Sequence, residues 1–147
     1  MGAPDLLAGL VRELHHVAIA VPSLAEARAL YVGVLGMRAV AEPEFVPGQG
    51  VNVLVLFAGS QRVELVEPAA DDSPVTKFLA TRGAGIHHLA WRVDDLERAL
   101  AAVAERGVRL IHATPQVGSH GTRIAFLHPK ATGGVLMELV EDPASAG

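Results

Sequence analysis

The sequence contains no cysteine, which excludes disulfide bonds and metal sites built on thiolates. Aromatic residues are also scarce, at 4% of the 147 residues, and charged residues make up only 19%. Half of the chain is nevertheless hydrophobic, a composition typical of compact globular domains and not of disordered segments. We therefore expect a single domain that spans residues 1–147 and buries a substantial core.

Positive charge and long apolar runs are lacking as well. The 12 Lys and Arg residues are outnumbered by 16 Asp and Glu residues, which gives a formal net charge of −4 and argues against a nucleic-acid partner. No run approaches the roughly 18 apolar residues of a membrane-spanning helix. Residues 1–14 lack the basic start and apolar centre of a secretory signal, so we expect a soluble, cytoplasmic protein with no membrane partner.

What the sequence does contain is an internal duplication. The tetrapeptide His-His-Val-Ala at 15–18 is matched by His-His-Leu-Ala at 87–90. The tetrapeptide Glu-Leu-Val-Glu occurs at both 64–67 and 138–141. Each half of the chain therefore begins with a pair of histidines and ends with a pair of glutamates.

The duplication predicts two repeats, over residues 14–68 and 86–142, each with a strand, a helix and three further strands. Ser23 and Glu26 form a capping box at the start of the first helix. A short helix over 73–82 is expected to link the repeats. The predicted strands are 17–21, 38–41, 51–57, 61–66, 89–93, 109–112, 122–127 and 135–140. Because neither repeat can bury its apolar face alone, the expected fold class is α+β, with two tandem βαβββ modules forming a curved, mixed β-sheet around a cleft.

The alternation of side chains along a strand predicts which histidine of each repeat faces the cleft. In the first strand Ile19 and Val21 have the phase of the helix-facing side, which leaves His16 facing the cleft. Trp91 has the helix-facing phase in the second repeat, so we expect His88 to face the cleft and Trp91 to lie in the core.

Glu64 and Glu138 occupy equivalent positions in the closing strands of the two repeats. A carboxylate among apolar neighbours is costly to bury unless it is paired or binds a metal. Two imidazoles and two carboxylates suit a divalent ion such as Co, Mn, Ni, Fe or Zn, which would act as a Lewis acid. We therefore predict His16, Glu64, His88 and Glu138 as metal ligands. The alternative is a polar network that only holds the two repeats together.

Longer motifs carry a resemblance to a known family. They are Asp-Ser-Pro at 72–74, Lys-Phe-Leu at 77–79, Gly-Ile-His-His at 85–88, Phe-Leu-His-Pro-Lys at 126–130 and Gly-Gly-Val-Leu at 133–136. The paired repeat resembles the vicinal oxygen chelate superfamily, and from about Leu14 to Asp142 it resembles methylmalonyl-CoA epimerase within that superfamily. The resemblance implies interconversion of (2R)- and (2S)-methylmalonyl-CoA, by metal-assisted removal and return of the C2 proton through an enolate.

The resemblance also implies roles for individual residues. His16, His88 and Glu138 match the family's metal ligands, and Glu64 matches a fourth ligand that binds directly or through water. Glu138 matches one proton-transfer group. Some members carry a second catalytic Glu three residues beyond a Gln-Gly motif, where this chain has Val53, so we expect Glu64 or a metal-bound water to replace it.

The substrate implied by the resemblance is a CoA thioester. The Gly-rich loop 118–123 is interpreted either as a hairpin turn or as a substrate contact through Ser119 and Arg123. Lys130 is expected to contact the CoA phosphates. Exposed sheet edges and the apolar surplus, together with the family, predict a homodimer.

Other functions are compatible with the same fold. The main alternative is a glyoxalase I-like lyase or isomerase acting on a thiol conjugate, although the His-Pro-Lys turn at 128–130 is unlike the glyoxalase turn. A metal-free binding module would have no use for inward-facing Glu64 and Glu138. An iron dioxygenase would use two histidines and one carboxylate, and a fourth ligand disfavours it.

Overall fold

The computed structural model describes residues 9–144, and its contacts divide the chain into two compact units. The first unit contains residues 16–87, and the second unit combines residues 9–15 with residues 88–144. These units correspond closely to the predicted repeats 14–68 and 86–142. That the two repeats form one domain stays a prediction.

The first unit contains a mixed sheet and two helices. Its elements are β1 (Val11–Ala20, which begins in the second unit), α1 (Leu24–Arg28), a π-helical continuation (Ala29–Val34), β2 (Arg38–Ala39), β3 (Glu44–Val46), β4 (Val51–Ala58), β5 (Gln61–Pro68) and α2 (Pro74–Arg82). Strand β5 pairs with β1 in parallel and with β4 antiparallel. Both β2 and β3 pair with β4 in antiparallel fashion.

Local sequence signals explain where these helices begin and end. The Ser23 side chain accepts a hydrogen bond from the Glu26 amide at 3.2 Å, which confirms the predicted cap. Gly36, at a φ of 75°, ends the helical segment as expected for a residue that adopts the left-handed conformation without strain. Ser73 caps α2 by accepting from the Val75 amide, and Pro74 occupies the first turn. Within residues 9–144, no helix is long and apolar enough to cross a membrane.

The second unit repeats this plan with shorter strands. Its elements are β6 (Gly85–Val93, which begins in the first unit), α3 (Leu96–Glu105), β7 (Gln116–Val117), a 3₁₀ turn (Ser119–Gly121), β8 (Arg123–Leu127), a second 3₁₀ turn (Pro129–Ala131) and β9 (Met137–Glu141). Strand β9 pairs with β6 in parallel and with β8 antiparallel, and β7 pairs with β8. Asp95 caps α3, because its side chain accepts from the Arg98 amide at 3.1 Å.

One predicted strand of the second unit is wrong. Residues 109–112 do not form a strand, and only Leu110 makes an isolated bridge, to Leu127. The backbone turns there, so that the amides of Ile111 and His112 both donate to the carbonyl oxygen of Phe126. The apolar alternation of residues 109–112 predicted a strand, but a local sequence pattern does not indicate a contact with a distant residue such as Phe126.

Apolar clusters cover both faces of the sheet in each unit. In the first unit, the buried members on the α1 face are Val21, Leu24, Leu54, Leu56 and Leu65, and those on the α2 face are Ala20, Val46, Val51, Val53, Val55, Val66 and Val75. In the second unit, the α3 face buries Val93, Leu96, Ala99, Leu100, Ala125, Leu127 and Leu139. Its opposite face buries Ala90, Ile124, Phe126 and Val140. Each fully buried Leu contributes about 1.5–3 kcal/mol, so these clusters hold the strands in a fixed register.

Trp91 packs against the cluster on the α3 face, as its phase predicts. We expect Trp91→Ala to lower the free energy of unfolding by about 2–4 kcal/mol, because a large ring that is partly buried leaves a cavity. Urea unfolding measures the change. Val117→Ala is the control, since Val117 is 76% exposed and its loss is nearly neutral. Equal stability of the two variants would contradict the assignment of Trp91 to the core.

Candidate active site

The first unit brings His16 and Glu64 together on one sheet face. Nδ1 of His16 lies 3.2 Å from Oε2 of Glu64, and the two residues are 3% and 6% exposed. Ala18 is the strand partner of Glu64 in the parallel β1–β5 pair, so His16, two residues earlier, points to the same side. Ile19 packs on the opposite, α1 side, as the sequence predicts.

A residue that the sequence analysis did not consider completes this pair. The guanidinium of Arg62 donates through Nε to Oε2 of Glu64 at 2.9 Å, and its side chain is only 13% exposed. The same guanidinium lies over the Phe57 ring. Arg62 therefore neutralises a buried carboxylate that would otherwise be costly to hold. The signal was present, because residues two apart in a strand share a face.

The second unit contains an equivalent pair, His88 and Glu138. Nε2 of His88 lies 3.6 Å from Oε1 of Glu138, and the residues are 7% and 5% exposed. Ala90 is the strand partner of Glu138, as Ala18 is of Glu64. The Phe126 ring packs edge-on against His88 at 5.0 Å between centroids. The register of the duplication is thus reproduced in both units.

The histidine and the carboxylate of each pair are of residue types that fit a divalent metal ion. Each pair belongs to a group of buried histidine and carboxylate side chains whose spacing suits such an ion. Imidazole nitrogen and carboxylate oxygen are ligands of the first-row divalent metals. Glu64 and Glu138 are almost fully buried, and carboxylates are buried to this extent only where cations or hydrogen-bond donors compensate their charge.

His112 is a second imidazole beside Glu138 that the sequence analysis missed. Its Nδ1 accepts a hydrogen bond from the Phe126 amide at 3.1 Å, and its ring lies 5.9 Å from the Phe126 ring. Partial burial lowers the pKa of His112 below its usual value, whereas the negative charge of Glu138 acts in the opposite direction. No local pattern indicated this position, because it depends on the turn that replaces the predicted strand.

Comparison with known proteins identifies the family. The model of the glyoxalase/bleomycin resistance protein/dioxygenase superfamily matches residues 15–126. The mitochondrial methylmalonyl-CoA epimerase of Bos taurus is 41% identical over 127 residues, which cover 86% of this chain and 72% of the relative. The chain belongs to the methylmalonyl-CoA epimerase family.

Solved structures of epimerases have the same fold. The crystal structure of methylmalonyl-CoA epimerase from Mycobacterium tuberculosis has a TM-score of 0.88 and 40% identity, over 99% of this chain and 96% of that one. A variant of the Streptomyces coelicolor epimerase, in complex with 2-nitronate-propionyl-CoA, has a TM-score of 0.86 and 35% identity, over 91% and 96% of the two chains. The predicted α+β fold of two βαβββ modules is thereby confirmed.

Val53 occupies the position at which some epimerases are expected to carry a second catalytic Glu, and another carboxylate lies close to it in the sheet. Val53 is 4% exposed and lies in the apolar cluster next to α2. Its strand partners are Val66 and Glu44. Paired residues share a sheet face, and Val66 lies two residues from Glu64 on β5. Glu44 therefore lies on the same face as Glu64. A carboxylate on the neighbouring strand therefore accompanies the apolar residue at 53, a placement that the sequence analysis did not predict.

The loop predicted to contact substrate is a tight turn. Ser119 is buried, and its carbonyl oxygen accepts from Oγ1 of Thr122 at 2.7 Å. A Cβ on Gly118 would lie 2.4 Å from that hydroxyl, so glycine is required there. His120 adopts a left-handed conformation with a φ of 53°. Both interpretations of the loop, hairpin turn and substrate contact, are compatible with this geometry.

Arg123 and Lys130, the other predicted substrate contacts, differ in their surroundings. Arg123 donates to Glu97 at 2.7 Å and to Glu141 at 3.0 Å. It pairs with Glu141 in the sheet, and therefore lies on the face opposite Glu138. This position favours a structural role for Arg123, and its predicted substrate contact stays a prediction. Lys130 is exposed in the second 3₁₀ turn, where its amide donates to Nδ1 of His128.

Proposed function

We propose that this chain is an isomerase that interconverts (2R)- and (2S)-methylmalonyl-CoA. The observation that carries the proposal is the buried histidine–carboxylate pair present at the same register in both units. Epimerases of this substrate are its relatives at 41% identity, and a close structural relative binds a propionyl-CoA analogue. The glyoxalase I-like alternative is not favoured, because the relatives compared are epimerases.

His16, Glu64, His88 and Glu138 are the residues that would hold the metal ion. They offer two nitrogens and two carboxylate oxygens, a set that suits Co, Mn, Ni or Zn. A bound divalent ion supplies Lewis-acid stabilisation for the negative charge that develops on the substrate oxygens. Arg62 donates to Glu64 and compensates part of its negative charge.

Glu138 is the residue that exchanges the C2 proton on one side of the substrate, removing it in one direction of the reaction and returning it in the other. Its burial beside His88 and Phe126 keeps water away from the carboxylate. Inversion requires a second group on the other side of C2, and the first unit offers Glu64 for this role. Glu44 shares the sheet face of Glu64 and is a further carboxylate within the same unit.

The CoA thioester would be bound through groups outside these four residues. The buried Ser119 turn is a candidate for the acyl end, because the Thr122 hydroxyl holds its backbone and it directly precedes β8. Lys130 is exposed and positively charged, which suits the CoA phosphates. The cytoplasmic location and the homodimer remain predictions, testable by fractionation and by light scattering.

Hydrogen–deuterium exchange at C2 tests the proposed function directly. In D2O the protein is expected to exchange the C2 hydrogen of methylmalonyl-CoA, and full removal of divalent metal is expected to lower the rate at least about 100-fold. The rate is followed by mass spectrometry, with readdition of Co, Mn, Ni or Zn as the control. Undiminished exchange in metal-free protein would refute the metal-assisted mechanism. A protein that exchanges a glyoxal–thiol conjugate instead would restore the alternative.

A further inference from the structure

We propose that His112 is a substrate-binding residue, whose Nε2–H donates a hydrogen bond to an acyl oxygen of the CoA thioester beside Glu138. The proposal rests on the proposed function and deepens it. His112 lies outside the predicted ligand set, and it contacts Phe126 within the second unit.

The contact with Phe126 fixes the tautomer of the His112 ring. Nδ1 accepts the Phe126 amide hydrogen at 3.1 Å, so it cannot itself carry a proton. In the neutral ring the proton must then be on Nε2. The hydrogen bond to the sheet therefore fixes both the tautomer and the direction of the ring, and it presents an N–H donor on the far edge.

The Nε2–H donor of His112 lies within the influence of Glu138. Within residues 9–144, the hydrogen bond of the His112 ring is the one from the Phe126 amide, and His112 is only half-buried. The charge of Glu138 acts on the ring, and Phe126 is the strand partner of Glu138. A ligand bound at the Glu138 carboxylate would therefore lie near the His112 ring.

The face around Glu138 is largely apolar. Its buried apolar side chains are Ala90, Ile124, Phe126 and Val140, and they offer no hydrogen bond. Two donors on the same face are engaged elsewhere, because Arg92 pairs with Glu13 and Asp94 and the Thr122 hydroxyl donates to the Ser119 carbonyl oxygen. A thioester or carboxylate oxygen that enters a water-excluding site needs a donor to replace its lost hydration. The Nε2–H of His112 meets that requirement.

Two substitutions of His112 test the roles of its two ring nitrogens separately. In His112→Asn, the side-chain oxygen replaces Nδ1 as acceptor for the Phe126 amide, but the Nε2–H donor is lost. In His112→Gln, the side-chain amide reaches the Nε2 position and donates there, but the Nδ1 acceptor is lost. A structural role and a substrate role therefore predict opposite results for this pair of variants.

The measurements are kcat/KM for epimerisation, the Kd for 2-nitronate-propionyl-CoA, and Tm. For His112→Asn we expect Tm close to wild type, with kcat/KM lowered and Kd raised by about 10-fold to 100-fold. For His112→Gln we expect Tm lowered by about 3–6 °C and kcat/KM within about threefold of wild type.

The outcomes distinguish this inference from the proposed function. An active wild type together with an unimpaired His112→Asn variant would overturn the role of His112 and leave the proposed function intact. A loss of kcat/KM in His112→Gln that equals or exceeds the loss in His112→Asn would overturn the role as well, because the Nε2–H donor would then contribute nothing beyond the anchor to Phe126. A wild type that neither epimerises methylmalonyl-CoA nor binds the analogue would overturn both.

Discussion

Replacing His88 with alanine is expected to abolish metal binding and to lower C2 exchange on the order of 1,000-fold. His88 is one of two imidazoles in the predicted ligand set, and its side chain is almost fully buried beside Glu138. Removal of one ligand lowers metal affinity steeply, because the remaining set no longer satisfies the ion. Without the ion, several kcal/mol of charge stabilisation are lost, which accounts for the expected fall in rate. Metal content by mass spectrometry and exchange in D2O measure the two effects.

His87→Ala is the matched control for this substitution. His87 is the adjacent residue of β6, and its ring contacts the Phe78 ring at 5.0 Å between centroids in the first unit. Neighbouring residues of a strand point to opposite faces, so the control removes an imidazole without touching the Glu138 face. We expect it to keep metal content and to retain exchange within about threefold. Full turnover by metal-depleted His88→Ala protein would show that His88 is not a ligand.

The duplication made much of the fold predictable. His-His-Val-Ala and Glu-Leu-Val-Glu recur at nearly constant spacing, and strand alternation then assigns His16 and Ile19 to opposite faces. The structure has them there because β1 and β5 pair with Ala18 opposite Glu64. The Ser23 cap was also predictable, because a capping residue acts within a few residues of its partner.

What the sequence did not reveal depends on contacts between distant segments. The turn that carries His112 forms because its backbone binds Phe126, fourteen residues further along the chain. Glu44 is the partner of Val53 because β3 pairs with β4, and β3 was not predicted as a strand. Arg123 was assigned to substrate for its charge, but its position is set by Glu97 and Glu141 on the α3 side. Residue type alone does not report which face a charged side chain occupies.

Glu138→Gln is expected to have the second large effect. The substitution keeps the size of the side chain and its contacts with His88, but it removes the negative charge and the ability to accept a proton at C2. Proton transfer by a positioned carboxylate typically contributes 10²-fold to 10⁴-fold, so we expect exchange to fall within about that range even when metal is supplied in excess. Exchange in D2O is measured with bound metal verified in the same sample, which separates loss of the base from loss of the ion.

Glu141→Gln provides the comparison on the same strand. Glu141 faces the α3 side, where its Oε1 accepts from the Leu96 amide at 2.9 Å and its Oε2 from Arg123. Because it caps a helix, its neutralisation is expected to cost about 1 kcal/mol of stability and to leave exchange within about threefold. A Glu138→Gln variant that holds metal and exchanges as fast as Glu141→Gln would exclude Glu138 as the base. The proton would then have to be taken by a carboxylate of the first unit, and the same measurement on Glu64→Gln and Glu44→Gln would identify which one.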